Sequence, residues 1–153
     1  MSIREMGNGG LLIVAGHAIY QSKEWHGGFT GEDRYYEGHV LDGLEIARSG
    51  GYEAICFSGG RTRDRDPKFP RHVTNSEAEG MIEFAQDMGC IGSRPPHVLA
   101  ECYARDSFEN VFFSILCFYH HFSAWPSRLG VVSWKFKAVR FYLIACGLRL
   151  GDG

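Results

Sequence analysis

The chain has 153 residues, 44% of them hydrophobic and 22% charged, with a formal net charge of −2 at pH 7. That length suits one domain with one sizeable core, and that balance excludes wholesale disorder. With a slightly negative charge and no continuous basic run, a nucleic-acid footprint is not expected either.

The first apolar run of β type is Leu11 to Ala15, and Gly16-His17 follows it. Gly16 permits close backbone approach. His17 is an acid, base or hydrogen-bond donor near neutral pH, or a side chain satisfied by local backbone. A helix is predicted from about Thr30 to Arg48, with Tyr36, Val40, Leu44 and Ala47 on one face and Ser49-Gly50-Gly51 as its stop.

The second run, Ala54 to Phe57, ends in Ser58-Gly59-Gly60-Arg61-Thr62-Arg63. Two glycines free the backbone to aim amides at an anion, and Ser58 adds a hydroxyl. Arg61, nearest the glycines, is the basic ligand candidate, while Arg65 is assigned to a solvated loop. A P-loop is excluded, because its helix must start at once with a Lys-Ser or Lys-Thr pair. Here the next helix cap, Ser76, lies well downstream, and no GxGxxG follows any strand. Ser76 and Glu79 are spaced as a capping box, with Glu77 between them and Gly89 as the helix stop.

The third run, His97 to Ala100, is followed by Glu101 where a strand carboxylate meets a ligand crevice. Asp106, Ser107 and Asn110 crowd the start of the next helix. Capping explains Asp106; Asn110, one turn into an apolar helix, needs a partner in the protein or a ligand. Phe108, Val111, Phe112, Ile115, Leu116 and Tyr119 cover nearly half of that helix, so deep packing is expected. The fourth run, Leu129 to Ser133, precedes a helix from about Lys135 to Cys146. Lys137 and Arg140 lie one turn apart near its start and oppose the helix dipole. A bound phosphate or carboxylate, or a salt bridge to Glu101 or Asp106, would compensate them.

Strand and helix alternate four times. Continuous apolar strands joined by helices predict an α/β fold, a Rossmann-like three-layer sandwich with a mainly parallel sheet of about four strands. Ligands in such sheets sit at the carboxyl ends of the strands. That rule selects Gly16, His17, Ser58, Gly59, Gly60, Arg61, Glu101, Asp106, Ser107, Asn110, Ser133, Lys137 and Arg140. The five cysteines follow no CxxC pattern, and the histidines are scattered, so no metal site is expected. Reduced thiols, the absence of a basic-then-apolar leader, and an apolar helix too short to span a bilayer point to a cytoplasmic protein.

Taken together, "IVAGHAIY", "FSGGRTR", "SEAEGM", "ECYARDSFENVFFS" and "VVSWKFKAVRF" resemble the SanA/ElyC/YdcF-like family of domains of unknown function, nearest to its eukaryotic, fungal-type branch. The resemblance covers about residues 11–141. It implies a single Rossmann-like domain with polar motifs at one sheet edge. Family motif positions fall on Gly16, Ser58, Gly59, Gly60, Glu77, Glu101, Asp106, Ser107, Asn110 and Arg140, and the eukaryotic pattern adds Glu32 and His39. Lys137 stands where bacterial relatives carry histidine. Relatives usually continue past "LRLGDG", so the resemblance implies either a C-terminally shortened fold, without a part such as a fifth strand, or one in which that part is supplied differently.

Two functions are expected to compete. One is a hydrolase or transferase for a phosphate-bearing or otherwise anionic small molecule, with Glu101 or His17 as base, Asp106 beside them, and Gly59, Gly60, Arg61, Lys137 and Arg140 holding the anion. The other is a non-catalytic module for a nucleotide or an S-adenosylmethionine-like ligand, a cofactor one bacterial relative is described as binding. A third, interaction-only reading draws on Trp25, Tyr35 and Trp125. The oligomeric state is left open.

Overall fold

The structure is a computed structural model describing residues 9–148. Its main sheet consists of β1 (Gly10–Ala15), β4 (Ala54–Ser58), β5 (His97–Glu101) and β6 (Arg128–Val132). All neighbours are parallel, in the order β5-β4-β1-β6. Every residue of β1 and β4 is buried, which is why both strands read as unbroken apolar runs.

Alternation divides those side chains between two layers. Leu12, Val14, Ile55 and Phe57 pack with α1 (Asp33–Ser49) and α2 (Glu77–Asp87). Leu11, Ile13, Ala15 and Cys56 pack with α3 (Ser107–Phe122) and with Phe141 of α4 (Ala138–Gly147). The fold is therefore a Rossmann-like three-layer α/β sandwich. From β1 the chain moves outward through β4 to β5, then returns to β6 on the other side of β1. The order reverses between β1 and β6, so the natural ligand crevice opens at their carboxyl ends.

Several elements differ from expectation. The helix expected from Thr30 starts at Asp33, because Gly31, at φ +85°, turns the chain just before it. An unforeseen hairpin, β2 (Ile19–Gln21) with β3 (Glu24–His26), follows β1. Ser22 and Lys23 form its turn at φ +54° and +69°, a conformation usually signalled by Asn-Gly. The hairpin lies on α2, where a Cβ on Gly80 would stand 2.5 Å from the Tyr20 backbone nitrogen. The helix expected from Lys135 begins instead as a 3₁₀ turn, Lys135–Lys137. Of that turn's three residues, Lys137 alone is not exposed.

The deep packing expected of α3 is only partly realised. Val111, Ser114, Ile115 and Phe118 face the core, whereas Phe108 remains 48% exposed and Leu116 40%. Its apolar surface is wider than one sheet face covers. Among the described residues, no helix is long and apolar enough to cross a membrane.

Candidate functional site

The glycines after β4 do not present free amides. Gly59 N–H donates to the Glu101 carbonyl at 2.9 Å, Gly60 N–H to the Ala104 carbonyl at 2.8 Å, and Gly16 N–H to the Ser58 carbonyl at 2.8 Å. The start of α2 is occupied in the same way. Glu77 and Ala78 N–H donate to the carbonyls of Gly60 and Gly59, and Ser76 with Glu79 completes the capping box. The anion cradle expected of Gly59 and Gly60 is thus filled by the protein itself, and the Gly16 amide is engaged in the same way.

A carboxyl group explains the glycines. A Cβ on Gly16 would lie 2.6 Å from Glu77 Cβ, and one on Gly59 would lie 2.5 Å from Glu77 Oε2. Their missing side chains let Glu77 reach the strand ends, where it is buried and accepts a 2.8 Å hydrogen bond from Thr62 Oγ1. Burial raises its pKa to about 7, against the opposing pull of that hydrogen bond, Arg63 and Lys137.

Glu101 has a different task. One carboxylate oxygen accepts the Ser58 hydroxyl at 2.5 Å; the other accepts the N–H groups of Tyr103 at 2.6 Å and Ala104 at 3.0 Å. Asn110 Nδ2 donates to both Ser58 Oγ, at 2.9 Å, and the Ser58 carbonyl, at 3.2 Å. Ser58, Glu101 and Asn110 therefore form a buried bracket joining β4, β5 and α3. Asn110 has its partner within the protein. Glu101, expected as a general base, is held by three donors. Asp106 accepts from Glu109 N–H at 2.9 Å as the α3 cap and is exposed. Ser107 is buried as the first residue of α3.

Across the switch point, residues from the first and last strand ends meet. His17 Nε2 lies 3.4 Å from Ser133 Oγ, and His17 Nδ1 lies 3.5 Å from Lys137 Nζ. An ammonium group can only donate, so Nδ1 is the acceptor and the imidazole proton sits on Nε2, facing Ser133. This is the reverse of the tautomer a serine nucleophile needs, so the trio is not a Ser-His-acid triad. Burial, with Lys137 and His39 adding to it, pushes the His17 pKa down to about 3, leaving a neutral ring. Burial, then Arg140, also lowers the Lys137 pKa, while Glu77 opposes them. Arg140 is exposed one turn further along α4.

The crevice wall is aromatic. A cavity of about 360 Å³ is lined by His17, Phe29, Tyr36, Trp134 and Phe136, with Arg63 and Glu32 at its polar margin. Trp134 is its hub, with ring centroids 5.7 Å from His17 and 5.3 Å from His39. His39 Nδ1 is buried and has no hydrogen-bond partner. Tyr36 donates to Glu32 at 2.5 Å, and burial with this bond raises its pKa to about 12.

Arg61 takes no part in this wall. It forms a 2.9 Å ion pair with Asp64, also donates to the Thr74 carbonyl, and is exposed. It borders a separate surface cavity where Arg63 and Arg71 alternate with Asp64 and Asp66. Arg63 serves both cavities and is the arginine that looks into the crevice.

No family model, curated protein or solved structure matches the chain. Its site is therefore defined by its own geometry. That geometry brings Gly16, His17, Glu77, Ser133 and Lys137 together and leaves Arg61 and Asp106 outside. Sequence reasoning missed Thr62, Arg63 and Trp134 and reached Glu32, His39 and Glu77 only through the resemblance. The Arg61-x-x-Asp64 spacing was the available sign that Arg61 would be neutralised by its own turn. Among the described residues, no three His, Cys, Asp or Glu side chains are grouped to hold a metal ion.

Proposed function

We propose that the β1/β6 crevice binds a phosphate-bearing or otherwise anionic small molecule and acts on it as a hydrolase or transferase. The observation that carries this reading is a buried Glu77 carboxyl, with a pKa raised to about 7, in the combined field of Arg63 and Lys137. Cations from two strand-end loops offset a ligand's charge, and Ser133 keeps its own hydroxyl proton available to donate. Glu77, near half-protonated at neutral pH, exchanges a proton with a leaving oxygen or an attacking water. In this reading the proton-transfer role passes from Glu101, which is fully bonded, to Glu77. Resemblance to the SanA/ElyC/YdcF-like family and a cytoplasmic setting, consistent with five free cysteines, belong to the same proposal.

The alternative, a non-catalytic nucleotide or S-adenosylmethionine-like binding module, is favoured by one observation. Trp134, Phe136, Phe29 and Tyr36 make a wall on which a flat heteroaromatic ring can stack. Inorganic phosphate, pyrophosphate, AMP and S-adenosylmethionine are to be screened by thermal shift, beside turnover of an aryl phosphate. Stabilisation lost in Lys137→Ala, with turnover lost in Glu77→Gln, supports the enzyme. Stabilisation by AMP or S-adenosylmethionine without turnover supports the binding module. No shift with any probe and no turnover refutes both.

A further inference from the structure

Arg63 stands where two cavities meet. One is the aromatic crevice of about 360 Å³ bounded by His17, Phe29, Trp134 and Phe136; the other, of about 320 Å³, is lined by Arg71, Asp64, Asp66 and Phe69. Arg63 belongs to both linings. A glycine just past the hairpin holds it there. Gly27 has φ +83°, and a Cβ at that position would stand 2.7 Å from Arg63 Nε, 2.8 Å from Arg63 Cδ and 3.1 Å from Phe69 Cε2. The backbone after β3 therefore lies directly on the Arg63 side chain, with the Phe69 ring beside it. Arg63 is half-buried, whereas Arg61, Arg65 and Arg71 are exposed.

Charge in the second cavity is unevenly matched. Arg61 Nε donates to both oxygens of Asp64, at 3.0 and 2.9 Å, and Asp66 accepts the Lys68 N–H at 2.9 Å. Both carboxylates thus have partners of their own. Arg63 and Arg71 form no ion pair among the described residues. From Arg61 to Arg71 the loop carries five cations and two carboxylates in a chain of net charge −2, so positive potential is concentrated at this one place. A ligand with a single anionic group in the crevice would engage Arg63 and leave Arg71 without a counterion.

We infer that one ligand occupies both cavities, with a flat ring against Trp134 and Phe136, a first phosphate beside Arg63 and a second reaching Arg71. Its class is an aromatic diphosphate, such as a nucleoside diphosphate, rather than a monophosphate. The inference rests on the crevice reading proposed above and adds the second cavity to it as a subsite. Each cavity alone is at the lower end of the ~300–1,000 Å³ that small-molecule sites enclose, and the two joined fall well within it. A guanidinium offers five donors in a planar fork, so Arg63 can bond both phosphates while Arg71 takes the outer one.

Calorimetric titration of the full-length chain with AMP, ADP and pyrophosphate reads ring and phosphates separately. Stacking accepts any flat base, so adenine serves as the ring. ADP is expected to bind about tenfold or more tightly than either AMP or pyrophosphate. Arg71→Ala, at an exposed position, should abolish the advantage of ADP over AMP and leave AMP affinity unchanged. Arg63→Ala should weaken both nucleotides. Trp134→Ala should weaken AMP and ADP but not pyrophosphate; if it does not fold, Phe136→Ala, at a side chain 78% exposed, replaces it. AMP bound as tightly as ADP, with Arg71→Ala silent, overturns the inference and leaves the crevice reading standing. Pyrophosphate bound as tightly as ADP also overturns it, because the ring then contributes nothing. Binding of none of the three overturns it outright, and turnover of the aryl phosphate then decides whether the crevice reading falls as well.

Discussion

Replacing Glu77 by glutamine removes a titrating proton while keeping the shape and the oxygen that accepts from Thr62. The native carboxyl has a pKa of about 7 against an ordinary value of 4.5, because burial disfavours its charge. Below pH 4.5 it is protonated both folded and unfolded, and its burial carries no ionisation penalty. Between 4.5 and 7 the unfolded chain loses the proton first, so the folded state binds more protons and stability falls as pH rises. Above 7 the penalty is complete, at about 3 kcal/mol for a shift of this size. At pH 5 the same relation leaves a penalty of only about 1 kcal/mol. Glu77→Gln should therefore gain about 2 kcal/mol relative to wild type between pH 5 and pH 8. Urea unfolding of both proteins at half-unit intervals measures this difference directly. The comparison cancels His17, whose pKa of about 3 lies below its ordinary 6.5 and makes stability fall with acidification instead. Parallel curves for the two proteins from pH 5 to 8 would refute the assignment of Glu77 as the group titrating near neutrality.

The glycines provide two further tests. Gly16→Ala should cost about 1–3 kcal/mol by urea unfolding, since its Cβ would stand 2.6 Å from Glu77 Cβ, whereas Gly38→Ala, inside α1 with nothing within 4 Å, should stabilise by up to about 1 kcal/mol. If both changes act in the same direction, close approach is not the reason for Gly16. Ser58→Ala leaves Glu101 and Asn110 each short of a partner in the core and should cost about 1–3 kcal/mol by the same assay. A cost below half a kcal/mol would show that the bracket holds without its hydroxyl.

How much of this was visible in the chain depends on how local the cause is. The four strands, the capping box at Ser76 and the Asp106 cap follow from apolar runs and three-residue spacings, and they stand where expected. The hairpin was hidden because Ser22 and Lys23 do not advertise a left-handed turn; packing against α2 imposes it. "SGG" was legible as a special place but not as which one. Whether Gly59 needs space for a phosphate or for Glu77 depends on where α2 docks, and no local pattern carries that information. The same holds for Asn110, whose demand for a partner was correctly sensed but is met by Ser58, 52 residues away.

The crevice is also unevenly anchored. Glu77, Thr62 and the Ser58 bracket attach to β4, which is paired on both sides, while Ser133, Trp134 and Lys137 hang from β6, which among the described residues is an edge strand paired only with β1. His17 reaches those partners across 116 and 120 residues of chain. Residues 129–132 are all half-buried, in contrast to the sealed β1, so this edge is the part of the sheet most prone to open short of global unfolding. Each such opening removes one wall and leaves the acid in place. Amide exchange at Val131 should run ahead of that at Ile13, and ligands that bridge the two walls should slow it selectively.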